Sequence, residues 1–183
     1  MQLERRALFG GALALAGAAA LTPLTPALAF PEADVRRLAF ANLHTGESLN
    51  VAYWERGAYV PDALKAVNKV LRDFRNNEVH AIEPRLLDAL VALSGKVDRH
   101  APFQVISGYR SPATNAALHA MSDGVASHSL HMDGKAIDIR IAGVALSHLR
   151  DAALNLGLGG VGYYPTSDFV HVDVGRVRRW GGA

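Results

Sequence analysis

Residues 129–141 read S-L-H-M-D-G-K-A-I-D-I-R-I, and residues 169–174 read F-V-H-V-D-V. In the first stretch Ile137, Ile139 and Ile141 alternate with Ala136, Asp138 and Arg140; in the second, Val170, Val172 and Val174 alternate with Phe169, His171 and Asp173. Strict alternation marks a half-buried strand, because successive side chains leave a strand on opposite faces. Each strand is therefore predicted to turn a branched aliphatic face to the core and to carry Asp138 or His171 on the other. The loop 129–135 leads into the first strand and can bring His131 back over Asp138.

Working outward, residues 161–164 and 169–174 are predicted as a closing pair of strands joined by a short turn. Residues 37–43 and 48–54 alternate on either side of His44-Thr45-Gly46-Glu47, the pattern of a β-hairpin with glycine at its turn. Over residues 61–74, Leu64, Val67, Val70, Leu71 and Phe74 recur at helical spacing, with Pro61 in the first turn where a missing N–H costs nothing. Further helices are expected over 84–93, from Pro112 to about Met121 with Ser111 as cap, and over 146–156 with Gly157 as stop. Residues 103–107 form one more short strand. There is no regular βαβ rhythm and no internal repeat. The expectation is an α+β domain on a mostly antiparallel sheet with flanking helices.

The chain has 183 residues, half of them hydrophobic and 20% charged, with a formal net charge of +2. That suits one domain with a real core and argues against disorder. Lys plus Arg number 19 and Asp plus Glu 17, without a long run of one sign, so no nucleic-acid partner is expected. With no cysteine there is no disulfide, thiolate metal site or cysteine nucleophile, and any metal must be held by His, Asp or Glu.

Residues 1–29 read as an export signal and are set apart from the domain, 30–183. Arg5 and Arg6 precede an Ala/Gly/Leu stretch, and Ala27-Leu28-Ala29 supplies the small residues a signal peptidase reads, placing cleavage before Phe30. The stretch is shorter than the roughly 20 apolar residues of a membrane span, so no stable insertion is expected after cleavage. The arginine pair followed by Leu8 and Phe9 is similar to a twin-arginine signal, with the general secretory route as the alternative.

A His, Asp, His set with one open position is the ligand pattern of a catalytic zinc site. Ordinary polar residues on exposed strand faces would give the same spacing, and spacing leaves both readings open.

The run from Ser129 to Asp138 resembles the S-x-H-x-x-G-x-A-x-D signature of the M15 zinc peptidases of bacterial cell walls, Phe169 to Asp173 resembles their second metal motif, and Ser107-Gly108-Tyr109-Arg110-Ser111 their substrate-side arginine loop. Within that group the 44–47 turn, Gly162-Tyr163-Tyr164-Pro165 and the ending from Arg176 to Trp180 are similar to the exported murein endopeptidases of the YcbK/MepK type. The resemblance covers most of residues 35–180. It implies one Zn²⁺ per chain, bound by His131, Asp138 and His171, on the fold shared with D-Ala-D-Ala metallopeptidases and hedgehog-type domains. One departure is Asp173, where the wider group often has His.

The resemblance further implies Asp168, three residues before His171, as the general base for a metal-activated water; a plain turn former is the alternative. Arg110 would steady the oxyanion or hold a substrate carboxylate, or else be a surface arginine. Asp173 is expected to orient a ligand histidine or to pair with Arg140. His128 is left without a role, and His44, His80, His100, His119 and His148 are expected on turns or exposed helix faces. The expected function is a periplasmic, monomeric zinc murein endopeptidase acting on peptidoglycan stems and cross-links. A D-Ala-releasing carboxypeptidase or dipeptidase, and a catalytically silent wall-binding module, are the alternatives.

Overall fold

In the computed structural model, which describes residues 35–121 and 126–181, strands β1 (Val35–Asn42) and β2 (Ser48–Glu55) form the expected hairpin. The chain continues through β3 (Ala58–Tyr59), α1 (Pro61–Val70), α2 (Pro84–Lys96), β4 (Phe103–Ser107) and α3 (Pro112–Met121). After a single 3-10 turn, Leu130–Asp133, come β5 (Ala136–Ile141), α4 (Leu146–Leu156), β6 (Gly160–Tyr164), β7 (Phe169–Asp173) and β8 (Arg178–Trp180). The expected export signal lies outside the described residues.

The strands form one sheet in the order β3-β2-β1-β4-β5-β7-β6-β8. Among the described residues only β1 with β4 and β6 with β8 run parallel, so the sheet is mostly antiparallel and the fold is α+β, as expected. One face of the sheet is the core: Ile137, Ile139, Val170 and Val172 pack with Phe40 and Phe103 beneath Leu86, Leu90 and Leu93 of α2 and Leu149 of α4. Burying each large aliphatic side chain contributes about 1.5–3 kcal/mol, which fixes strand register and commits the opposite face of β5 and β7 to polar residues.

Two elements differ from their expected ends. Helix α1 stops at Val70 rather than running to Phe74. The run Asp73-Phe74-Arg75-Asn76-Asn77 prefers a turn, because Asp and Asn side chains capture nearby backbone N–H groups. Here the N–H of Asn77 donates to the Asp73 carbonyl, and Phe74 leaves the helix to stack on His44. Helix α2 runs on to Lys96, past the expected end at 93. Its Asp88 accepts hydrogen bonds from the Tyr53 and Tyr59 hydroxyls and pairs with Arg36, tying the helix to β1, β2 and the short strand β3. Burial and the adjacent carboxylate push the Tyr59 hydroxyl up to about 12.

The shortened α1 positions the arginine loop. The Leu71 carbonyl accepts the Tyr109 N–H at 2.7 Å, and the buried Asp73 carboxylate accepts the Ser111 N–H at 2.9 Å. Gly108 is required there: a Cβ at that position would lie 2.4 Å from the Leu71 carbonyl oxygen.

Candidate metal centre

Strand register brings the site together. Ser107, Asp138, His171, Gly162 and Trp180 are successive cross-strand partners on β4, β5, β7, β6 and β8, forming a single row across five strands. His131 joins the row from the 3-10 turn. That turn is capped by Ser129, whose hydroxyl accepts the His131 N–H, and ends at Gly134 in the left-handed conformation, φ 66°. A Cβ on Gly134 would meet the Ala81 carbonyl at 2.2 Å, so this glycine is needed both for its φ and for the close approach.

His131, Asp138 and His171 are 2%, 5% and 8% exposed, so none is the exposed polar residue that spacing alone allowed. Their inner atoms form a small triangle. His131 Nε2 lies 3.1 Å from His171 Nδ1 and 3.2 Å from Asp138 Oδ1, and His171 Nδ1 lies 2.9 Å from the same oxygen. Tetrahedral donors on a zinc ion with bonds of about 2.0–2.1 Å sit about 3.3 Å apart, close to these edges.

The outer ring nitrogens are committed elsewhere. His131 Nδ1 is 2.6 Å from the Gly108 carbonyl, which can only accept, so the proton is on Nδ1 and Nε2 turns a lone pair to the centre. His171 Nε2 faces Asp173 Oδ2 at 3.1 Å, which by the same logic leaves Nδ1 as the inward donor atom. Three electron-rich atoms converging in a buried space call for a cation, and this trio could hold a metal ion.

The electrostatics agree. Burial pushes the His131 imidazole below its ordinary pKa and keeps it neutral, as a ligand must be. Burial works against the ionised Asp138 carboxylate, but the two imidazoles beside it, His131 and His171, outweigh it and hold the carboxyl well below the usual range. For His171 burial is likewise outweighed: the flanking Asp138 and Asp173 carboxylates raise its pKa, the pull that two anions exert on any cation at the ring, whether a proton or a metal ion. Asp173 is held low against burial by His171, Arg178 and the N–H groups of Gly160 and Gly175.

The centre opens into a cleft of about 570 Å³. One wall is aromatic: Tyr164 stacks on Phe169, the Trp180 Nε1–H donates to the Tyr164 hydroxyl, and the Trp180 ring packs 5.0 Å from that of His171. The other wall holds Arg110, whose Nη2 lies 3.6 Å from Asp138 Oδ2, together with His128 and Ser129.

Arg110 is thus part of the cleft wall and not a surface arginine. Asp173 faces His171 and pairs with Arg178 at 2.7 Å, not with Arg140, whose Nε donates to Gln104 and whose Nη1 pairs with Asp168. Asp168 sits in the β6–β7 turn at φ 55°, between the cleft-lining Ser167 and Phe169, with its side chain 59% exposed. His128, left without a role, lines the cleft. Trp180 was not foreseen as part of the site; its one signal is its place in the C-terminal segment that carried the resemblance. The carbonyl of Gly108 gave no signal, since a backbone acceptor leaves no trace in residue identity.

Residues 31–180 match the family Peptidase_M15_2, described as "Peptidoglycan L,D-endopeptidase MepK". The chain is 44% identical over 177 residues to the peptidoglycan L,D-endopeptidase MepK of Escherichia coli (strain K12), covering 97% of this chain and 96% of that protein. It is 45% identical over 148 residues to the probable peptidoglycan L,D-endopeptidase MepK of Haemophilus influenzae, covering 80% of each.

Proposed function

The chain belongs to this M15-type peptidase family, and from that premise we propose that it is a zinc-dependent murein endopeptidase that hydrolyses peptide cross-links of peptidoglycan. The names of both relatives favour an L,D-endopeptidase over a D-Ala-releasing carboxypeptidase. The observation that carries the reading is the inward triangle of His131, Asp138 and His171, with both outer ring nitrogens already committed. Such a peptidase works in the periplasm, with residues 1–29 as its export signal; no helix among the described residues is long and apolar enough to cross a membrane.

A zinc ion held by these three residues would polarise the scissile carbonyl and make water a nucleophile near neutral pH. The protein's own groups supply the rest. Arg110 spends little of its donor fork within the fold: Nη1 reaches Asn115 only at 3.4 Å and Nε has no partner among the described residues. The guanidinium is therefore assigned to the developing oxyanion or a substrate carboxylate. Asp168 is assigned the proton, taking it from the attacking water and passing it to the leaving amine. Arg140, on the same face of β5 as Asp138, holds that carboxylate beside the cleft. Asp173 keeps His171 in the tautomer that points Nδ1 inward, and the aromatic wall limits water.

The test is digestion of purified cross-linked muropeptides by the protein lacking residues 1–29, with and without a chelator, read by mass spectrometry. Conversion of dimers to monomers only with zinc present is the expected result. Loss of a terminal alanine alone would replace the endopeptidase with a carboxypeptidase, and bound zinc without any cleavage would leave a silent wall-binding module.

A further inference from the structure

Asn115 lies on the first turns of α3, is 2% exposed, and spends its whole side chain on the arginine side of the cleft. Its Nδ2 donates to two successive backbone carbonyls, Ala126 at 3.1 Å and Ser127 at 3.2 Å. Its Oδ1 accepts from Arg110 Nη1 at 3.4 Å. Ala126 and Ser127 directly precede His128 and Ser129, which line the cleft, and Ser129 caps the turn that carries His131.

We propose that Asn115 is a positioning residue, which sets the Arg110 guanidinium and the 126–129 rim as one unit. The chemistry requires an amide. Two carbonyls need a donor and a guanidinium needs an acceptor, and the primary amide offers both on one planar group. Asp would keep the acceptor and set an anionic oxygen against two carbonyls. Alanine would take the acceptor from the Arg110 Nη1 and both donors from the exposed 126–127 carbonyls, which water would then solvate, so the rim would lose its tie to α3. Helix α3 suits the task because its start is doubly anchored: Ser111 caps the Thr114 N–H, and Asp73 holds the Ser111 N–H from another segment. A side chain one turn in is then fixed relative to the arginine that immediately precedes the helix. Asn115 touches none of the three metal-binding candidates, so its effect is on turnover and not on metal content.

This inference rests on the proposed role of Arg110, and the experiment separates the two. Turnover of a defined muropeptide dimer is measured for Asn115→Ala, Arg110→Ala and the double variant, with zinc content and melting temperature as controls. Displacement of a catalytic group by about 1 Å costs up to about 100-fold, so Asn115→Ala is expected to lose about 10- to 100-fold in kcat/KM while retaining zinc. In the double variant the share of that loss carried through Arg110 should vanish and only the rim's share remain, so the double variant should lose clearly less than the product of the two single losses. A residue that merely holds the fold would lower activity by the same factor in both backgrounds, and that result, or wild-type turnover in Asn115→Ala, overturns the proposal. If Arg110→Ala itself retains full turnover, the role of Arg110 fails first. Should Asn115→Ala not fold, Asn115→Asp takes its place in the same cycle. It keeps the Arg110 acceptor and breaks the rim, so it should raise KM more than it lowers kcat; a wild-type KM would overturn the rim half of the unit.

Discussion

His131 is held at both ends, by the Gly108 carbonyl on Nδ1 and by the inward triangle on Nε2, while Asp168 is exposed on the β6–β7 turn and paired with Arg140. The two should fail differently. His131→Ala removes one of three donors, and metal affinity should fall more than the roughly 10- to 100-fold typical of losing an outer-shell partner. Asp168→Ala should retain stoichiometric zinc and lose about 100- to 10,000-fold in kcat, the usual range for a general base; zinc content and single-turnover rates distinguish them. Asp73 makes a separate prediction. Burial would raise its pKa, but the Thr114 and Ser111 hydroxyls and the Ser111 and Arg75 N–H groups outweigh that and lower it. Its folded pKa lies below an unfolded value of about 3.9, so its stabilisation is complete above that pH and is lost as pH falls through the folded value. Asp73→Asn should cost about 2 kcal/mol near neutral pH, and the gap in melting temperature from wild type should hold from pH 7 to about pH 4 and close only as pH is lowered further. A gap that does not change with pH would mean the ionised carboxylate is not what holds the loop. At this scale the sequence made the face of Asp138 and His171 legible through alternation. It could not reveal their burial, because that depends on the 3-10 turn and Trp180 closing over a face that alternation marks only as polar.

Elements inherit their accuracy from how many residues report on them. Strands β5 and β7 and helix α4 have several periodic positions each and appear where the pattern puts them. Strands β3 and β8 have two and three residues, too few for a period, and are defined by partners far away: Tyr59 by Asp88, Trp180 by Gly162. The end of α1 was overrun because Leu71 is buried and Phe74 is apolar, although the Asp/Asn-rich turn had already taken the backbone. The row across the sheet makes β8 part of the site, since Gly162 leaves room for the Trp180 indole beside His171. A Cβ on Gly162 would come within 2.8 Å of that ring. Gly162→Ala should therefore displace the indole, cost about 1–3 kcal/mol in overpacking and reduce kcat/KM. Combining it with Trp180→Ala should give no further loss of stability beyond Trp180→Ala alone. Additive losses in thermal unfolding would show that the clash lies elsewhere.

Across the whole molecule, the candidate metal centre joins segments that are remote in sequence. The Gly108 carbonyl, the 3-10 turn with β5, and β7 with its β6 and β8 neighbours meet only in the folded sheet. The unfolded chain has no such triangle, so a metal ion bound there stabilises the native state alone, by RT ln(1 + [L]/Kd). At a free zinc concentration of 100 times Kd this is about 2.7 kcal/mol, and for a domain of this size each kcal/mol moves the melting temperature by about 2–4 °C. Zinc should thus raise the melting temperature of the apo-protein by roughly 5–10 °C, and a chelator should reverse the shift. His131→Ala should show no shift at the same zinc concentration, whereas Asp168→Ala and Asn115→Ala should show the full one, since neither residue belongs to the triangle. Calorimetric scans of the four proteins with and without zinc decide this independently of any substrate. A zinc-dependent rise that survives in His131→Ala would move the ion away from the His131, Asp138 and His171 triangle, and with it the chemistry assigned to the cleft.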